Sequence, residues 1–328
     1  MHPSSLEVTS VGRPVEGAAE SPARRGRPQH PPLDAEFGLS QQGRDVNHPG
    51  DQGSDSSQHL TMADGQRLFV RDWPYARSQD AVLIVHGLGE HSGRYQRLAL
   101  WFRTRGYAVR SYDQRGHGQT PGIRGAMRHS DDLLEDLATV YNDYASGLPR
   151  PPLLLGHSMG GLVAARAVLD QRVQPPALVL CSPAFRSWEH AWLRRLAALL
   201  AHVVPNLPLP NGLSFDELSH DQQVQQAYRG DPLRHRWITP RMADFIFRAG
   251  ESSIGDSSQL RMPTLLLVAG ADRLVDPSGS RDFAAGAWAG QKLTTRYFDA
   301  LYHELFNEAE PARSQVLKQL GDWLQRLA

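Results

Sequence analysis

A serine hydroxyl is a weak nucleophile near neutral pH, and one that attacks a carbonyl needs a base beside it and a third group to orient that base. In Gly156-His157-Ser158-Met159-Gly160 a serine stands between two flanking glycines, straight after an apolar run and just before a helical pattern. A strand that turns sharply into a helix crowds the residues around its tip, so G-x-S-x-G in that setting aims a hydroxyl out above a sheet; alone, the five-letter pattern is weak. A serine needed only for a tight turn would explain the glycines but not the partners farther along. His303, one of 14 histidines, sits in "D-A-L-Y-H-E-L-F-N-E", a loop between the last predicted strand and the final helix. Asp272, in "L-V-A-G-A-D-R-L-V-D", leaves the preceding strand at its carboxyl edge, where sites in such sheets form. Asp276 competes for that role and reads instead as a cap for the following helix. Ser158 as nucleophile, His303 as base and Asp272 as its orienting carboxylate make an acyl-transfer set. The oxyanion then needs two donors, expected from the amides of Met159 and of Leu88 in "H-G-L-G-E-H". His86, His117 and His157 read as wall or turn residues. Such chemistry requires no metal and no organic cofactor.

The elements that must hold these residues follow from the apolar pattern. "H-L-T-M-A-D-G-Q-R-L-F-V-R-D-W" alternates on either side of Asp64-Gly65, which predicts a hairpin with a type I′ turn. Continuous apolar runs at Ala81–His86, Tyr107–Asp113, Leu153–Gly156, Ala177–Ser182, Thr264–Gly270 and Leu293–Asp299 predict strands buried on both faces. Helical patterns lie between them at Tyr95–Arg105, Leu133–Ala145, Gly161–Asp170, Gly279–Trp288 and Pro311–Leu327. The fold class is therefore α/β, a mostly parallel central sheet with helices on both faces. From Pro183 to about Arg261 no strand is expected, and the segment reads as a helical insertion after the sixth strand. Its stripe Trp188, Trp192, Leu196, Leu199 and Val203 has helical spacing. One reading packs the stripe on the core; the other makes the segment a cap whose apolar face lines an entrance, with Arg194 and Arg195 meeting a membrane surface. The domain division is 1–57 as a disordered tail, 58–183 with 262–328 as the core, and 184–261 as the cap or lid.

Composition removes several function classes. Lys+Arg and Asp+Glu each number 35, so no net charge gathers nucleic acid, and none is expected as a partner. A single cysteine, Cys181, allows no internal disulfide and no cysteine metal cluster. No apolar run reaches the ~18 residues of a membrane span. The first 57 residues, rich in Pro, Gly, Ser and Gln, carry a twin arginine at Arg24 and Arg25 without an apolar stretch behind it, which does not read as an export signal. A cytoplasmic protein, with peripheral membrane contact through the cap, is the expectation.

The motifs "H-G-L-G-E-H-S-G-R-Y", "D-Q-R-G-H-G-Q-T", "G-H-S-M-G-G", "V-V-P-N-L-P-L", "Y-R-G-D-P-L", "G-A-D-R-L-V-D" and "Y-H-E-L-F-N-E" together resemble the monoacylglycerol lipases and lysophospholipase-like serine hydrolases of the α/β-hydrolase superfamily. The resemblance runs from about Leu60 to the end. It implies hydrolysis of a single-chain lipid ester, a small-molecule substrate whose acyl tail lies under the cap. It also implies that Glu90, Arg94 and Tyr228 bind the alcohol half; a local ion pair and a buried tyrosine would be the plainer reading of the same residues. Where the animal enzymes place a second histidine three residues after the first, this chain has Phe306, which removes a hydrogen-bonding group near the glycerol site. Lysophospholipids and other carboxylic esters therefore remain alternatives, and a lipid-sensing module without turnover is the alternative outside catalysis.

Overall fold

The computed structural model describes residues 55–76, 78–287 and 292–327. Most of the tail reading for residues 1–57 thus lies outside the described residues, as does Trp288. Within them, strand pairing already begins at Ser56, two residues before Gln58. The sheet has eight strands: β1 (Ser56–Thr61), β2 (Arg67–Trp73), β3 (Asp80–Val85), β4 (Tyr107–Tyr112), β5 (Leu153–His157), β6 (Leu178–Cys181), β9 (Thr264–Ala269) and β10 (Leu293–Phe298), in the order β1-β2-β4-β3-β5-β6-β9-β10. The first two pairings are antiparallel and the rest parallel.

The apolar runs become central strands because both of their faces are covered. In β3, Leu83 and Val85 join the cluster beneath α2 (Asp132–Ser146), α3 (Met159–Leu169) and α7 (Pro277–Ala287). Val82 and Ile84 join the opposite cluster beneath α1 (Gln96–Arg103) and α8 (Ala312–Gln325). Strand side chains alternate between faces, so a strand buried on both sides has no polar position to spare.

The turn at Asp64-Gly65 differs from the expected type I′. Only Gly65 has positive φ, +84°, while the amide of Gly65 donates to Met62 O at 2.9 Å and that of Met62 to Gln66 O at 2.8 Å. This is a three-residue loop, a turn through Ala63 and Asp64 closed by a glycine in the left-handed region. Asp64 escapes positive φ because its Oδ1 accepts the amide of Gln66 at 2.9 Å and fixes the loop locally.

Between β6 and β9 the chain forms α4 (Ala191–Val203), β7 (Leu209–Pro210), α5 (Gln222–Gly230), β8 (Trp237–Ile238) and α6 (Pro240–Gly255). The expectation of no strand here is corrected by the antiparallel pair β7–β8, which is only two residues long and leaves no periodic signal in the sequence. Met242, Phe245 and Ala249 of α6 are buried in the same cluster as α3 and α7. No residue of α4 is buried, and Trp188, Trp192, Leu196, Leu199 and Val203 are exposed. The core-packing reading of that stripe is thus overturned; Leu193 and Leu200, which flank it and widen it, are half-buried. Among the described residues no helix is long and apolar enough to cross a membrane.

Candidate active site

The carboxyl ends of β3, β5, β9 and β10 deliver the residues singled out above except Tyr228, which comes from α5. Ser158, between β5 and α3, has φ 54° and ψ −123°, a backbone conformation that costs an L-residue strain of order 1–3 kcal/mol unless its surroundings impose it. Here they do. The Ser158 amide donates to Cys181 O, and its carbonyl accepts from the amides of Leu162 and Ala184, each at 3.0 Å. The flanking glycines answer to contact rather than to φ. A Cβ on Gly156 would lie 2.4 Å from Gly160 O, and one on Gly160 2.3 Å from Val85 O.

Met159 is the first residue of α3, so its amide has no acceptor within the helix and sits where the helix field favours negative charge. Leu88 lies in the turn after β3. Glu90 Oε1 braces that turn by accepting the Gly87 amide at 2.5 Å and the Tyr95 hydroxyl at 2.7 Å. His86, fully buried, takes the Gln114 amide on Nε2 at 2.9 Å and therefore offers Nδ1–H to Gly87 O at 2.7 Å. Both of its ring nitrogens are committed to the turn. His117 is likewise buried, packed against His235 with ring centroids 4.6 Å apart.

His303 and Asp272 meet across 2.6 Å, Nδ1 to Oδ2, and both are almost fully buried. The other carboxylate oxygen of Asp272 accepts the amides of Leu274 and Val275, each at 2.9 Å, so the carboxylate cannot rotate away from the imidazole. Burial works against the imidazolium. Asp272, by charge and by hydrogen bond, with Glu304 and Glu90 adding to it, outweighs burial and holds His303 above its ordinary value. Asp276 instead accepts the Ser278 amide at 2.9 Å at the start of α7, as its capping role requires. Next to His303 stands His157, ring centroids 4.7 Å apart. Burial and the neighbouring His303 push His157 down to about 4, so it is neutral at physiological pH.

Arg94 joins Glu90 Oε2 at 2.7 Å and grips both oxygens of Glu304, at 2.5 and 2.8 Å. Its guanidinium lies over the buried Tyr228 ring, 4.5 Å from the centroid. Burial alone would raise Glu90, but Arg94, His157 and His86 hold it below the usual carboxylate range. The plainer reading of Glu90, Arg94 and Tyr228 as an ion pair and a buried tyrosine is therefore present in the geometry, and all three also line the cavity that Ser158 faces. Glu304 was not singled out from the sequence; its only signal there is its place directly after His303. Phe306 packs into the core beneath α1 and α8 and edges a small recess beside Glu90, Arg94 and His157.

One cavity of about 270 Å³ joins these parts, near the lower end of the ~300–1,000 Å³ usual for ligand sites. Ser158, His303, Leu88, Met159, Glu90, Arg94 and Tyr228 line it, and Asp272 stands behind His303. Its remaining walls come largely from the segment between β6 and β9, with Ile238, Ile246 and Phe247 among the apolar residues. The arrangement brings a hydroxyl, a buried imidazole–carboxylate pair and the residues Leu88 and Met159 to one cavity, which suits attack on a carbonyl.

The comparisons with known proteins agree with this architecture. The chain is 31% identical over 265 residues to a monoacylglycerol lipase of Mycolicibacterium smegmatis, covering 79% of this chain and 93% of that one. It is 32% identical over 250 residues to phospholipase YtpA of Bacillus subtilis, covering 75% and 95%. The crystal structure of a monoacylglycerol lipase from Paleococcus ferrophilus superposes with a TM-score of 0.73 at 30% identity, covering 80% of this chain and 99% of that one. A family model described as serine aminopeptidase, S33, matches residues 76–310. On that match, over most of its length, the chain belongs to this serine hydrolase family of α/β-hydrolase fold.

Proposed function

We propose that this chain hydrolyses single-chain lipid esters, monoacylglycerols foremost, through an acyl-enzyme at Ser158. Ser158 Oγ attacks the ester carbonyl as His303 takes its proton, and the oxyanion of the tetrahedral intermediate rests on the amides of Leu88 and Met159. Collapse breaks the bond to the alcohol, which leaves with the proton from His303. Water, deprotonated by His303, then attacks the acyl group and returns Ser158 and a fatty acid. The observation that carries this reading is one cavity around Ser158 lined by both polar and apolar side chains. Glu90, Arg94, Glu304 and Tyr228 suit a polar alcohol, and Ile238, Ile246 and Phe247 suit an acyl chain. The segment from Pro183 to Arg261 acts on this reading as the cap. The resemblance to a monoacylglycerol lipase supports lipid ester substrates, and the resemblance to a phospholipase keeps lysophospholipids as the second reading.

Steady-state kcat/KM on a monoacylglycerol, a lysophosphatidylcholine of the same acyl chain and an aminoacyl amide separates these. A clear preference for the monoacylglycerol is expected. A faster rate on the lysophospholipid would make the chain a lysophospholipase, cleavage of the amide alone would sink the ester reading, and binding without turnover would make it a lipid sensor.

The exposed face of α4 adds peripheral membrane contact. Trp192, 64% exposed, and Leu199 and Val203, 61% and 68% exposed, put three large apolar side chains on one outward stripe of α4, and Trp188, 56% exposed, lies just before the helix. Trp188 also borders the cavity, so a helix lying on a bilayer would place the opening next to the lipid. In flotation with neutral liposomes the protein is expected to rise with the vesicles, and a Trp192→Ser/Leu199→Ser double variant to stay below. Equal behaviour of the two proteins would remove the membrane role of α4.

A further inference from the structure

The loop that carries His303 has its main chain pinned at three successive residues. The Tyr302 amide donates to Glu308 Oε1 at 2.8 Å, the His303 carbonyl accepts the Ser182 hydroxyl at 2.9 Å, and the Glu304 amide donates to Leu218 O at 2.8 Å. The second of these contacts ties the loop to the residue after β6. The third reaches the segment just before α5, where Ser219 Oγ also donates to Asn307 O at 2.8 Å.

Glu308 binds both chains at once. Its Oε1 takes the His220 ring at Nδ1, 2.9 Å away, as well as the Tyr302 amide, and its Oε2 takes the amides of His220 at 2.9 Å and Ala309 at 3.1 Å. Burial alone would raise its pKa, but the amides of Tyr302 and His220, the His220 ring and the Ala309 amide hold it below the usual carboxylate range. An ionised carboxylate only accepts, so His220 presents Nδ1–H as a donor. The His220 ring also lies flat on that of Tyr302, centroids 3.7 Å apart. A carboxylate that is 1% exposed and held by donors on both oxygens has one orientation, and it fixes the peptide one residue ahead of the base. None of Glu308, His220 and Tyr302 lines the cavity, so any effect of theirs on the chemistry passes through His303. A base displaced by about 1 Å can lose on the order of a hundredfold in rate.

We propose that Glu308, itself oriented by His220, is a positioning residue for His303. It holds the Tyr302 peptide so that the imidazole stays aligned with Ser158, and it makes that alignment depend on the docking of the segment before α5. This rests on the ester-hydrolase reading above. A misplaced imidazole fails in both of its roles, as base toward Ser158 and as acid toward the departing alcohol. Its loss therefore falls hardest on an ester whose alcohol cannot leave without a proton.

The test measures kcat/KM, per serine labelled to completion by a fluorophosphonate, on two esters of one acyl chain: the monoacylglycerol, and the p-nitrophenyl ester, whose phenolate leaves unprotonated. Glu308→Gln keeps the size of the side chain but sets an NH2 against two N–H donors whichever way it turns. It is expected to lower kcat/KM for the monoacylglycerol about ten- to hundredfold, with KM little changed, and for the p-nitrophenyl ester several-fold less. His220 is exposed, so substitutions there spare the fold. His220→Leu removes the ring donor and is expected to lose about three- to tenfold on the monoacylglycerol, and His220→Asn, which returns a donor near the place of Nδ1, to recover most of it. Rates per labelled serine unchanged in Glu308→Gln, equal losses on the two esters, or equal rates in His220→Leu and His220→Asn would overturn the proposal. Where thermal midpoints show Glu308→Gln unfolded, the His220 pair decides. A wild-type protein that is neither labelled nor turns over either ester would instead overturn the ester-hydrolase reading, so the two failures are distinct.

Discussion

Replacing Ser158 with alanine is expected to abolish ester hydrolysis, lowering kcat by roughly 10⁴-fold or more, the scale seen when a serine nucleophile is removed. Labelling by a fluorophosphonate, which requires an activated serine, should vanish with it. The fold should survive. The strain at φ 54° is imposed by bonds from the Ser158 main chain to Cys181, Leu162 and Ala184, none of which involves the hydroxyl. Alanine fits the same corner, where the Cβ of Ser158 already lies against Gly87. An S158A protein with an unchanged thermal midpoint and undiminished turnover would show that another group does the chemistry.

The second large effect is expected at Asp272. D272N is isosteric but offers an NH2 or a carbonyl where His303 Nδ1–H needs a carboxylate, and a loss in kcat on the order of 10⁴-fold follows from the wrong tautomer and the missing charge. The pH profile supplies an independent readout. Only the neutral imidazole can take the Ser158 proton, so activity falls as pH drops through the His303 pKa. In the wild-type protein burial would lower that pKa, and Asp272 with the nearby Glu304 and Glu90 raises it, which places the acid limb above the ordinary histidine value. Without the Asp272 charge burial gains ground, so the residual activity of D272N should show an acid limb shifted to lower pH. D276N should leave both rate and profile nearly intact, because Asp276 is engaged with the Ser278 amide at the start of α7. Equal damage from D272N and D276N would refute the assignment of the carboxylate.

Much of the fold was legible because its elements announce themselves locally. A strand buried on both faces must be apolar at every position, and Val82 through Val85 read that way before any contact is known. The elbow was legible for a similar reason: the approach of Gly160 to Val85 O leaves no room for a side chain, and that steric demand is written into the sequence as glycine. The hairpin was legible in place but not in type, since an Asp-Gly pair serves more than one turn and the choice lay with the Oδ1 bond of Asp64.

The residues beyond that were not legible, and they share a cause. Glu304 becomes part of the polar lining only because Arg94, 210 positions earlier, grips both of its oxygens. The stripe on α4 has the same spacing whether it faces the core or water, and only the exposure of Trp192, Leu196, Leu199 and Val203 in the folded chain shows that it faces out. The sequence alone determined the sheet, the corner that carries Ser158 and the chain order of Ser158, Asp272 and His303, because each depends on short-range periodicity or on steric limits at one position. The tertiary structure decided which carboxylate meets His303 and which charges cancel beside the cavity, because these depend on distances between loops that no local pattern encodes.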